Sequence, residues 1–132
     1  MNIRFLEFED KGDERGSLAA INGGKEVPFA IERVYYIFNT AKNVRRGYHA
    51  HRALKQALIA VSGSCRILLD DGKERVEVAL DNPLKGLYLD GLIWREIFDF
   101  SSDCVLAVLA NAHYDESDYI RDYQKFQSEV KR

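Results

Sequence analysis

Two histidines separated by one residue, His49 and His51 in the run Arg46-Gly47-Tyr48-His49-Ala50-His51-Arg52, are the side chains of this sequence best suited to chemistry. On an extended segment side chains alternate between faces, so both imidazoles project to one side and converge on one spot. Paired imidazoles serve as metal ligands or as proton carriers, since an unperturbed pKa of about 6.5 lets them exchange protons near neutrality. The neighbours decide between the two. Gln56, five positions after His51, is uncharged and a poor ligand for a divalent cation, and the remaining histidine, His113, precedes an acidic segment and reads as a surface residue. The set favours metal-free proton transfer with no cofactor.

A phosphate-bearing ligand would need a local cluster of cations, because 19 basic and 21 acidic residues leave a net charge of −2. Arginine grips phosphate through two parallel hydrogen bonds, which lysine cannot do. Arg46 beside the histidines, Arg95, Arg15 in the N-terminal turn and Arg121 near the C-terminus are the candidates, and the other arginines read as solvating the surface. Among the tyrosines, Tyr35 is the candidate hydrogen-bond donor to a substrate carbonyl. The acidic run Asp115, Glu116, Asp118 and Asp122 reads as the solvated start of a helix.

The elements that must position these groups are short strands. Extended segments are expected at 3–8, 17–21, 33–39, 46–51, 56–62, 64–70, 75–80, 86–90, 94–100 and 105–110, with helical character only at 118–126. Asp71-Gly72 between two such segments marks a hairpin. Many short strands with turns between them indicate an all-β barrel or sandwich. With 132 residues, 46% hydrophobic and 30% charged, the chain suits a single domain over 1–132 with one core, and no repeat or linker divides it. The near-neutral charge argues against a nonspecific nucleic-acid or membrane-surface binder. Without an apolar signal core, and with no apolar run longer than Cys104 to Ala110, a cytoplasmic protein is expected. Cys65 and Cys104 lack C-x-x-C spacing and suit buried free thiols.

The pattern of His49, His51, Gln56 and Gly63 resembles the first cupin motif, in which the third residue is normally a glutamate that completes a metal site. The second motif would supply a histidine where this chain has Trp94-Arg95, and an arginine repels a cation. The expected architecture is therefore a cupin jelly-roll, a double-stranded β-helix, with a short C-terminal helix. Taken together with Ser62-Gly63-Ser64-Cys65, Leu69-Asp70-Asp71-Gly72, Gly86-Leu87-Tyr88, Trp94-Arg95-Glu96, Asp99-Phe100-Ser101 and the segment Tyr114 to Tyr123, the histidine run resembles the cupin-type sugar-nucleotide 3,4-ketoisomerases and the related WxcM-like domains.

That resemblance implies a homodimer, often with exchanged N-terminal strands. It also implies a metal-free shift of the ketone of a dTDP-linked 4-keto-6-deoxyhexose from C-4 to C-3. His49 and His51 match the catalytic pair, and Arg15 and Arg121 match residues that hold the nucleotide. His49 is expected as the base, with His51 its partner in proton delivery or oxyanion stabilisation and Tyr35 donating a hydrogen bond. A sugar-nucleotide 3,5-epimerase and a non-catalytic sugar-nucleotide-binding cupin are the competing functions.

Overall fold

Alternating and β-branched sequence becomes strand wherever a neighbouring strand is present to pair with it. The computed structural model describes residues 1–131. Its strands are β1 (Arg4–Glu7), β2 (Arg33–Ile37), β3 (Arg46–His51), β4 (Gln56–Ser62), β5 (Cys65–Asp70), β6 (Arg75–Leu80), β7 (Lys85–Leu89), β8 (Trp94–Phe98), β9 (Val105–Ala110) and β10 (Tyr119–Ile120), followed by helix α1 (Tyr123–Val130). One antiparallel sheet runs β1-β7-β4-β9-β2 and the other β10-β3-β8-β5-β6. Two facing five-stranded sheets are the jelly-roll architecture expected from the sequence. Among the described residues no helix is long and apolar enough to cross a membrane.

The inner faces share one apolar cluster, which includes Leu58 and Ala60 of β4, Ile67 and Leu69 of β5, Ile97 of β8, and Leu106 and Val108 of β9. The outer face of the first sheet is also covered. Ala57 and Ile59 of β4 pack there with Phe8, Val27 and Phe29 from the irregular N-terminal segment, so β4 is buried on both sides. The segment 17–21, expected to be extended, forms no strand: Ser17, Leu18 and Ala19 are exposed and no neighbouring strand completes a ladder.

The outer face of the second sheet carries α1, whose Phe126 packs with Ala50, Trp94 and Ile120. The helix starts later than expected. Asp122 caps it by accepting from the backbone N–H groups of Gln124 and Lys125, while Glu116–Asp118 form a 3₁₀ turn. Tyr119 and Ile120 pair instead with His51 and Ala50, completing the edge of the sheet next to the histidines.

Candidate active site

Both sheets contribute inward-facing side chains to one end of the barrel. His49 and His51 come from β3 and Arg95 from β8, while Gln56 of β4 and Tyr35 of β2 face them from the other sheet. The two imidazoles lie with centroids 4.9 Å apart, nearly perpendicular at 84°. Tyr119 packs against both, at 5.0 Å from His49 and 4.3 Å from His51.

The two histidines differ in their partners. His51 Nδ1 lies 3.1 Å from Asp118 Oδ2. Asp118 is itself held by the backbone N–H groups of Ala53 at 2.8 Å and Leu54 at 3.3 Å. A carboxylate only accepts, so Nδ1 carries the proton and the Nε2 lone pair is left free. His51 Nε2 is buried without a hydrogen-bond partner among the described residues. Burial first, and then the charge of Arg95, pushes both His49 and His51 down to about 3. Both are therefore neutral at physiological pH and able to accept a proton.

Arg95 is 3% exposed. Its Nη1 donates to Gln56 Oε1 at 2.5 Å, and its Nε and Nη2 donate to the Ile93 carbonyl at 3.2 and 3.1 Å. Burial lowers its pKa to about 10, so it keeps its charge at neutrality. Gln56 passes the chain onward by donating from Nε2 to the Tyr35 hydroxyl at 3.3 Å. Burial raises the Tyr35 phenol, which stays protonated. Gln56 thus does more than stand in place of a metal ligand: it holds the guanidinium and the phenol together. Among the described residues no group of three or more His, Cys, Asp or Glu side chains is assembled as a metal site.

The mouth carries further cations. Arg46 and Arg33 line a concavity of about 380 Å³ with Tyr35, Tyr36 and Tyr119. Arg121 lies 4.2 Å from the Tyr119 ring centroid and pairs with Glu116 through bonds of 2.6 and 2.9 Å. Arg15 is placed elsewhere: its side chain is 85% exposed and ion-paired to Asp13 within its own turn. Arg95, proposed with the phosphate-gripping arginines, is on the barrel floor rather than at the mouth. His113 is 83% exposed, in keeping with a surface residue.

Asp118, Tyr119 and Arg33 were not read as site residues from the sequence. Asp118 lies 67 residues from His51, and only the β3–β10 pairing brings them together. Arg33 carried one usable signal, an arginine two positions before Tyr35 and so on the same strand face.

A jelly-roll with neutral imidazoles aimed inward beside a buried cation is a cupin furnished for proton transfer. Residues 1–131 match the family described as "FdtA: WxcM-like, C-terminal", and the chain belongs to that family. It is 49% identical over 130 residues to TDP-4-oxo-6-deoxy-alpha-D-glucose-3,4-oxoisomerase of Aneurinibacillus thermoaerophilus, covering 98% of this chain and 94% of that one. A variant of the 3,4-ketoisomerase QdtA from Thermoanaerobacterium thermosaccharolyticum, crystallised with TDP-4-keto-6-deoxyglucose, superposes with a TM-score of 0.96 at 45% identity, covering 98% of this chain and 94% of that one. The TDP-quinovose 3,4-ketoisomerase WlaRB of Campylobacter jejuni gives a TM-score of 0.91 at 48% identity, covering 96% and 98%.

Proposed function

We propose that this chain is an isomerase that moves the ketone of TDP-4-keto-6-deoxyglucose from C-4 to C-3. The observation that carries the mechanism is the free, buried Nε2 of His51, oriented by Asp118 beside a buried guanidinium. His51 Nε2 takes the C-3 proton, and the electron pair left behind moves toward the C-4 oxygen to give an enediolate. Arg95 and Tyr35 face the developing charge as cation and hydrogen-bond donor. That negative charge offsets Arg95, so the proton affinity of the imidazole rises as the proton arrives. The C-3 hydroxyl proton passes to the C-4 oxygen, so that the enolate oxygen is now at C-3, and return of a proton to C-4 from His51 or His49 leaves the ketone at C-3 and a hydroxyl at C-4. Atoms balance without an external oxidant.

This division makes His51 the base and His49 its assistant, the reverse of the expectation from sequence, because only His51 has a carboxylate to fix its tautomer. Arg46 and Arg121 at the mouth suit the pyrophosphate. Arg15 could join them only from another copy of the chain. A homodimer is supported by edge strand β2, where Val34, Tyr36 and the following Phe38 are 57%, 61% and 54% exposed on one face. Light scattering should then give the dimer mass at micromolar concentration. Free, buried Cys65 and Cys104 suit a reducing cytoplasm.

Incubation with TDP-4-keto-6-deoxyglucose in deuterated buffer, followed by NMR, tests the function. Migration of the ketone with label at C-3 or C-4 is expected. Label at C-5 would mark a 3,5-epimerase, and no exchange a binding protein. Dialysis against a strong chelator should leave the rate unchanged, because neutral Gln56 and cationic Arg95 occupy the positions where ligands would be needed.

A further inference from the structure

The ladder between β3 and β8 contains one residue too many. Arg46 lies opposite Ile97, Gly47 opposite Glu96 and His49 opposite Arg95, which leaves Tyr48 bulged out between the last two pairs. Gly47 has φ +95° and Tyr48 φ +58°. The left-handed region is open to glycine and rarely taken by a bulky side chain, so this backbone needs a reason. At position 47 the reason for glycine is steric: a Cβ would stand 2.8 Å from the carbonyl oxygen of Arg95.

Opposed residues of an antiparallel pair share a face of the sheet. Ile97 and Arg95 face the barrel, the first in its apolar cluster and the second reaching Gln56. Trp94 faces the other way, 5.3 Å from Tyr123 and 5.9 Å from Phe126 of α1. Regular pairing continued from Arg46 and Ile97 would set Tyr48 opposite Arg95, inside the barrel. His49 would then oppose Trp94, under the helix, and His51 would follow it to that outer face. The extra residue removes one step of the alternation. Arg46, His49 and His51 share the inner face although the first two are three positions apart, and Ala50 turns outward, where it is fully buried with Ile120 and Phe126.

We propose that the left-handed bulge at Gly47 and Tyr48 is the positioning element of the histidine pair. Tyr48 acts through its backbone conformation rather than its ring, which is 46% exposed. The inference rests on the acid–base role given to the pair above.

Glycine and asparagine enter the left-handed region at little cost, and a β-branched residue does not. Tyr48→Gly and Tyr48→Asn should therefore keep kcat, whereas Tyr48→Val should lose about 10²-fold in kcat, as expected for a misaimed catalytic group. TDP affinity by calorimetry should be close to that of the parent in all of them. Tyr48→Ala should fall between, and it stands in for the valine variant should that one not fold. Imidazole titration by NMR reads the same effect without turnover: the histidines should stay depressed in the glycine and asparagine variants and shift in the valine or alanine variant. A parent protein that shows these shifts but no isomerisation would sink the functional reading and keep the bulge. Parent-like kcat and titration in Tyr48→Val would overturn the proposal. So would glycine and asparagine variants as impaired as the valine one, since the ring would then be what matters.

Discussion

The inside of the barrel is divided into an apolar end and a polar end that share strands. Leu58, Ala60, Ile67, Leu69, Leu106 and Val108 are each no more than 2% exposed and bring no polar side-chain atom. At the other end lie Tyr35, His49, His51, Gln56 and Arg95, of which all but Tyr35 and His49 are also buried. β4 supplies Gln56 to one end and Leu58 to the other, and β8 supplies Arg95 and Ile97 two residues on. Function therefore occupies one or two inward positions per strand, and the next inward position already belongs to the core. The polar groups are tolerated because most are tied to one another: Arg95 to Gln56, Gln56 to Tyr35, His51 to Asp118. His51 Nε2 is left over, and an unsatisfied buried acceptor is what a base awaiting a proton looks like.

If the division is real, substitutions at the two ends should damage different quantities. The largest effect is expected at His51. His51→Asn removes the titrating nitrogen and should lower kcat by about 10²–10⁴-fold, or roughly 3–5 kcal/mol in the barrier, with TDP affinity and thermal midpoint little changed. Asp118→Asn should follow it in the same direction, by about 10–10²-fold, through loss of the tautomer-fixing partner. Steady-state kinetics with calorimetry checks both. A larger loss in His49→Asn than in His51→Asn would reverse the assignment of the base.

At the apolar end the signs change. Leu106 is fully buried between the sheets, and Leu106→Ala should cost about 2–5 kcal/mol of stability through lost burial and the cavity left behind. Denaturant titration measures this, and kcat per folded molecule should not move. A Leu106→Ala protein of normal stability and poor kcat would erase the distinction between the ends.

The apolar end was the more legible one. Strands β3, β4, β6 and β9 run over the expected residues because alternation and β-branched content are local signals. The histidine pair was legible for the same reason, since a period of two brings positions 49 and 51 together whatever they pair with. Which face they share was not, because it depends on the bulge at Tyr48 and on the register with β8. Asp118 was hidden among carboxylates that looked like a helix start, and Gln56 was read for the ligand it replaces rather than for the two groups it holds. Arg15 was singled out by the resemblance, and within one chain its side chain pairs with Asp13 of its own turn.

The mouth should separate from the floor as well. Arg121 is half exposed and paired with Glu116, whereas Arg95 is buried under the histidines. Arg121→Ala should weaken TDP binding by roughly tenfold, the lower end for a hydrogen bond to a charged group, and leave kcat at saturation near that of the parent. Calorimetry with TDP alone isolates the binding part. An unchanged Kd would remove Arg121 from the nucleotide site.

The smallest expected change in rate is the one with pH, and the pH dependence tests the polar end as a whole. The folded-state values of His49 and His51, about 3, lie below the unfolded value of about 6.5. Between those limits the unfolded chain binds protons that the folded chain does not, so stability should fall as pH drops from about 6.5 and be unaffected above it. Asp10, Asp13 and Glu116 are also depressed. Ordinary carboxylates titrate near 4, so their stabilising contribution is lost only below about pH 4.5. The interval from about pH 6.5 to 4.5 therefore isolates the imidazoles, while at the apolar end burial pushes Cys65 up to about 12 and silences it there. Over the same interval the base stays neutral. An ordinary histidine base would lose about 25-fold in kcat/KM between pH 7 and 5, whereas this one should stay nearly flat while the protein remains folded. A break in kcat/KM near pH 6.5, or an acid sensitivity unchanged in both His49→Asn and His51→Asn, would mean that the polar end is wetter than its geometry indicates.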